Sequence, residues 1–196
     1  WMVAFALRAD GWYLRQDIIW HKPNCMPESV KDRPTKAHEY IFLLSKSQKY
    51  YYDAEAIKEP IAASTVERAK SKNNASTRKD KGSAQWQSGL TPEQQDKWYS
   101  NIDKNTVRNK RSVWTVPTQP FPEAHFAVYP PALITPCILA GCPVGGTVLD
   151  PFAGSGTTLL VATQHHRKSI GIELNPEYIE IAKRRLNSVQ LKLVME

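Results

Sequence analysis

The chain has 196 residues, 41% of them hydrophobic, enough for one domain with a core of its own. A net charge of +7 favours a polyanionic partner over an acidic substrate surface. Three cysteines (Cys25, Cys137 and Cys142) exclude a disulfide framework and suit a reducing cytosol, and no apolar run reaches the ~18 residues of a membrane span.

In chain order, Val3 to Leu14 carry apolar positions at helical spacing and close at the turn signal Asp10-Gly11. Two β-branched and aromatic runs, Asp17–His21 and Glu39–Ser45, predict strands joined by a long loop with three prolines. From Ser64 to Arg111 the composition turns polar, with 11 Lys and Arg against 5 Asp and Glu. Trp86, Trp98 and Trp114 lie within this window or just beyond it, and solvated tails seldom carry tryptophan. The window therefore predicts an irregular basic insertion that orders on nucleic acid. Its phosphate-contact candidates are Arg68, Lys70, Lys72, Arg78, Lys79 and Lys81.

The stretch from Trp114 to Pro131 is too rich in proline for a helix or a central strand. After it come a helix that closes near Gly141, a strand (GTVLD), a helix (GTTLLVATQHH), a strand (SIGIEL) and a helix (PEYIEIAKRRL). Asn175 is the expected cap of that last helix, ahead of Pro176. The alternation implies an α/β fold with a parallel sheet. Cys137 and Cys142 lack a second Cys/His pair at zinc spacing, and His38 and Glu39 as neighbours on a strand face opposite sides, so no metal is expected. His165 and His166 end a helix and are expected in solvent, as is the Lys183–Arg185 run.

The sequence VLDPFAGSGTT (Val148–Thr158) reads as a strand that enters a glycine turn and opens a helix. Glycines at 154 and 156 let the backbone turn tightly and approach a ligand. Glu173 ends the next strand, where an acidic side chain can accept hydrogen bonds from ribose hydroxyls. Three ligands compete for such a turn. A phosphate-loop nucleotide would require a Gly-Lys-Ser/Thr run, and Thr157-Thr158 follows Gly156 without a lysine. A dinucleotide would prefer a third glycine, where Leu159 stands. S-adenosylmethionine, an adenosine with a free amino acid end, requires neither.

DPFAGSGTT followed by GIELNPEYIEIAKRRL resembles the cofactor motifs of amino-group DNA methyltransferases, which methylate adenine N6 or cytosine N4. AHFAVYPPALI is similar to the segment that precedes that turn in the β-type order of motifs. ADGWYLRQDIIWHKPNCMPESVKDRPTKAHEYIFLLSKSQKYYYDAEAIKEP resembles the phage and prophage branch of the same family. The resemblance implies a partial Rossmann-like methyltransferase fold with an irregular basic DNA-recognition insertion. Residues 1–63 would be the end of the catalytic half, 64–111 the target-recognition region and 112–196 the S-adenosylmethionine-binding half. In the β-type order the cofactor half comes last, which accounts for a glycine turn so late in the chain.

The resemblance also implies roles. Asp150 and Phe152 would lie beside the methionine part of the cofactor. Gly154, Ser155 and Gly156 would give backbone contacts, and Thr157 and Thr158 would begin the helix beneath it. Glu173 would hold the ribose and Asn175 would border the adenine. His125, Phe126, Ala127, Tyr129 and Pro130 would close the methionine side, with Ser112 to Trp114 nearby. His21 and Lys22 would shape the target-base pocket or touch phosphate, and Arg33 and Lys36 would touch DNA phosphates.

The family's catalytic Ser/Asp-Pro-Pro-Tyr/Phe loop has no counterpart in these residues; Pro130-Pro131 belongs to the cofactor segment. That loop is expected upstream of Trp1, in a longer product. The expected function is a site-specific DNA methyltransferase in the cytoplasm, acting on double-stranded DNA. A homodimer and a cognate restriction endonuclease stay open as partners. The alternatives are a truncated or decayed methyltransferase that binds DNA or cofactor without turnover, and an enzyme that methylates RNA or a small molecule.

Overall fold

A computed structural model describes residues 1–67, 107–121 and 128–195. The chain divides into two compact units, one of Trp1–Ile57 with Arg111–Glu196 and one of Lys58–Lys110.

The first unit opens with helix α1 (Met2–Ala9), followed by strands β1 (Tyr13–His21) and β2 (His38–Ser45). β1 and β2 pair antiparallel from Tyr13↔Ser45 to His21↔His38. β1 therefore begins four residues before the strand expected from sequence, and α1 stops short of Leu14. Pairing with β2 overrides the helical spacing of that stretch, as tertiary context often does to local propensity. On its other edge β1 pairs parallel with β5 (Val113–Thr115), so the order is β2-β1-β5. The proline-dense stretch thus begins as a short strand at a sheet edge, where proline is tolerated.

Helix α2 (Pro131–Gly141) follows. Strand β6 (Thr147–Asp150), helix α3 (Thr157–Gln164), strand β7 (Lys168–Gly171) and helix α4 (Pro176–Met195) complete the unit. β6 and β7 are parallel, with Asp150 opposite Gly171. Two apolar clusters hold it together. Trp20, Trp114 and Leu133 pack with Ile18, Ile41, Val116, Tyr129 and Cys137. Ile138, Val161 and Ala162 pack with Ile134 and Val148. Leu133 and Ile138 face different clusters from the same helix, so α2 joins the two sheets. Both core indoles satisfy their N–H: Trp20 donates to Val116 O at 2.7 Å and Trp114 to Arg111 O at 2.7 Å. Trp114 is 7% exposed. This overturns its reading as part of a nucleic-acid segment: the indole is core.

In the second unit, β3 (Glu59–Pro60) and β4 (Val107–Arg108) pair antiparallel, and Arg108 Nε donates to Glu59 Oε1 at 3.0 Å. No helix among the described residues is long and apolar enough to cross a membrane.

Candidate functional site

Between β6 and α3 the backbone passes through positive φ at Gly154 (51°) and Gly156 (77°). Gly156 is required twice over, because a Cβ there would also lie 2.8 Å from Ala182 Cβ on α4. The sequence suggested that Gly156 lets the backbone approach a ligand; its immediate effect is the close seating of α4 against the turn. The turn is stitched to the strand beside it by Ile172 N–H to Asp150 O and Ala153 N–H to Ile172 O, each 2.9 Å.

Glu173 follows directly. Its Oε1 accepts from the Asn175 N–H at 2.8 Å and the Leu174 N–H at 2.9 Å, and its Oε2 from the Gly154 N–H at 2.8 Å. These bonds, the Asn175 N–H foremost, favour the charged form and hold the carboxyl below its ordinary range. The Gly156 N–H is also taken, by Ala153 O at 2.8 Å. The amides of Ala153, Gly154 and Gly156 are thus committed, that of Gly154 to an anion belonging to the protein. A phosphate would meet the charge of Glu173; a hydroxyl would meet an acceptor with capacity to spare.

On the other side of the turn, Asp150 is fixed at both oxygens. Oδ1 accepts from the Phe152 N–H at 3.0 Å. Oδ2 accepts from the Thr158 hydroxyl at 2.5 Å, and the single proton of the Tyr129 hydroxyl is shared between Thr158 Oγ1 and Asp150 Oδ2, the latter 3.3 Å away. Burial first, and then the Asp150 charge, push the Tyr129 phenol up, which keeps it a neutral donor. The Phe152 ring is 88% exposed beside this cluster. Asn175 Oδ1 accepts from the Glu177 N–H at 2.9 Å and caps α4, and Pro130 is buried at the start of α2. A groove of about 700 Å³ runs from Glu39, Tyr40 and Ile41 on β2, past Leu133, to Thr147–Asp150 on β6. It meets the site at Tyr129, Asp150 and Thr158. Among the described strands, β2 and β6 each have one unpaired edge.

Ser155 and Thr157 are turned away from this opening. Both are buried and both meet Arg185 of α4, whose Nη1 donates to Ser155 O at 2.6 Å, Ser155 Oγ at 2.8 Å and Thr157 Oγ1 at 3.1 Å. The sequence reading put Arg185 in solvent with its neighbours. Lys183 is indeed exposed and pairs with Glu180, but Arg185 reaches back into the turn. The signal was the 3,4 spacing of Ala182, Arg185 and Val189, which places the arginine on the buried stripe of α4.

A family model described as DNA methylase, covering N6 and N4 methyltransferases, matches residues 2–184. The chain belongs to the N6/N4 DNA methylase family. It is 47% identical over 186 residues to the Type II methyltransferase M.SmaI of Serratia marcescens, which covers 95% of this chain and 50% of that protein. It is 46% identical over 194 residues to M.Cfr9I of Citrobacter freundii, covering 99% and 51%. The chain therefore spans about half the length of the curated relatives it matches. Among solved structures, the M1.HpyAVI–SAM complex aligns with a TM-score of 0.57 at 22% identity, covering 95% of this chain and 68% of the other. The cytosine-N4-specific PvuII DNA methyltransferase aligns with a TM-score of 0.59 at 19% identity, covering 93% and 54%. These likenesses establish the α/β methyltransferase fold.

In this DNA methylase chain, several expected DNA contacts are engaged elsewhere. Lys22 pairs with Glu39 and lies over the Trp20 ring, 4.3 Å from its centroid. Arg33 pairs with Glu28 at 3.6 Å and Asp32 at 3.7 Å. His21 Nδ1 lies 3.2 Å from Thr115 Oγ1, and Lys36 is exposed. His165 is half-buried rather than in solvent, and burial and Arg167 push its imidazole down, while His166 is exposed. Arg68, Lys70, Lys72, Arg78, Lys79 and Lys81 lie outside the described residues, as do Trp86, Trp98, His125, Phe126 and Ala127. Among the described residues no group of three or more His, Cys, Asp or Glu could hold a metal ion.

Proposed function

We propose that this chain is the donor-binding portion of an S-adenosylmethionine-dependent DNA methyltransferase that modifies adenine N6 or cytosine N4. The observation that carries the reading is the hydrogen bond from the Gly154 amide to the Glu173 carboxylate. It fills the turn's anion site with a group suited to hydroxyl donors and so favours an adenosyl ligand over a nucleotide phosphate. The family match and the Type II methyltransferase relatives support the same ligand class.

The donor supplies an electrophilic methyl group on its sulfonium. Glu173 would accept from a ribose hydroxyl at the lone pair its three backbone donors leave free, and the turn from Phe152 to Gly156 would lie along the methionine part. The fixed carboxylate of Asp150 faces the amino acid end, with Tyr129 and Thr158 holding it in place. A target base must leave the duplex stack to reach the methyl group. Its amine conjugates with the ring and is a weak nucleophile, so an acceptor in the Ser/Asp-Pro-Pro-Tyr/Phe loop would draw the nitrogen out of plane. The Pro-Pro pair of this sequence, Pro130-Pro131, opens α2 instead, and the groove lies open between the β2 and β6 edges. Rate would then rest on alignment of donor and acceptor. Residues 64–111, with most of the net charge, form the target-recognition region for double-stranded DNA.

The test is transfer itself. Incubating the protein that carries this chain with methyl-tritiated S-adenosylmethionine and duplex DNA should leave label on N6-methyladenine or N4-methylcytosine after nuclease digestion. Label on RNA or on a small molecule, with none on DNA, would overturn the reading.

A further inference from the structure

Arg185 falls near the end of the GIELNPEYIEIAKRRL stretch and holds no role among those given above, yet it touches both the glycine turn and the segment before Tyr129. Its Nη1 hydrogens are shared among Ser155 O, Ser155 Oγ and Thr157 Oγ1. Its guanidinium carbon also lies 4.9 Å from the centroid of the Phe121 ring, eight residues before Tyr129. Backbone bonds and the Ala182 contact hold the turn's main chain, while Arg185 holds the buried hydroxyls of Ser155 and Thr157. Two of the turn's residues are glycines at positive φ, and α3 begins at Gly156 without a side-chain cap. A cation at the start of a helix is disfavoured by the helix dipole, so the benefit of this placement lies in its directional bonds. The planar fork lets one group fix a carbonyl, two hydroxyls and a ring at once, which a lysine cannot do.

We infer that Arg185 is a positioning residue for the methyl donor, fastening the Ser155–Thr157 turn and the Phe121 segment so that both stay aligned around the methionine part of the ligand. The inference rests on the donor reading above. Two of the three donors that hold Glu173, the amides of Leu174 and Asn175, lie off the turn, so ribose and adenine recognition depend on Arg185 less than the amino acid end does. The consequence is selective: losing the arginine harms binding of a ligand that carries the amino acid end more than binding of adenosine.

Calorimetric titration of the purified protein that carries this chain with S-adenosylhomocysteine and with adenosine tests this. For R185Q, the S-adenosylhomocysteine Kd should rise about tenfold and the adenosine Kd less than about threefold, with the far-UV circular dichroism retained. R185K should recover part of the loss. Equal losses for both ligands would mark a general structural role and overturn the assignment, as would an unchanged S-adenosylhomocysteine Kd. If R185Q does not fold, F121L leaves every hydrogen bond of the turn intact and must show the same selectivity at about threefold. If the unsubstituted chain binds neither ligand, the donor reading falls and the assignment falls with it. Binding by the unsubstituted chain without selective loss in the variants overturns the assignment alone.

Discussion

On the proposed donor reading, recognition turns on Glu173, which three backbone donors fix beside the glycine turn. Replacing it with glutamine puts an N–H₂ where one oxygen accepts, so at least one backbone bond and one hydroxyl acceptor are lost together. E173Q should weaken S-adenosylhomocysteine by about ten- to a hundredfold in calorimetry, with the fold retained. The pH dependence follows from the same bonds. A carboxyl depressed in the folded protein contributes above its unfolded pKa and loses that contribution as pH falls through its folded one. Donor affinity should therefore stay flat from pH 8 to about pH 5 and fall only below the ordinary carboxylate range. A decline centred near pH 6.5 would implicate a histidine instead. The position of Glu173 just past a strand and beside the glycine turn was legible from the spacing of the strands and glycines. Arg185 was not, because a basic run at a helix end looks solvated until the partner of its buried stripe is known.

At the scale of elements, the late α-β-α-β-α run was legible from its glycine, proline and apolar punctuation. β1 was read too short because Tyr13–Arg15 owe their strand conformation to β2, 30 residues away in register. Trp114 was misplaced for a related reason: composition put it beside the basic window, while β1 draws Val113–Thr115 into the sheet. Two substitutions test these joints. G156A forces a Cβ into Ala182 at a φ that L residues avoid, so it should lower stability by about 1–3 kcal/mol in urea unfolding. L133A should lower it by about 2–4 kcal/mol, since the side chain is 6% exposed in the cluster that holds the two core indoles. A loss below about 0.5 kcal/mol at Leu133 would mean that α2 does not bind the sheets together as described.

For the whole molecule, the net charge of +7 lies mostly in the basic window, while Lys22 and Arg33 are already paired within the first unit. Duplex binding should thus depend steeply on salt, through the window. Replacing Arg78, Lys79 and Lys81 together with glutamine should reduce the slope of log affinity against log salt by up to about three, uniformly across DNA sequences. An unchanged slope would place the phosphate contacts elsewhere. The sequence could locate this charge but not shape it, because polar residues without periodicity specify no packed face.

The most direct measurement is parallel calorimetry of the purified protein that carries this chain with S-adenosylhomocysteine and with ATP. A turn whose amide is committed to Glu173 should give saturable heat with S-adenosylhomocysteine and none with ATP at the same concentrations. Tight ATP binding with no heat from S-adenosylhomocysteine would contradict the account.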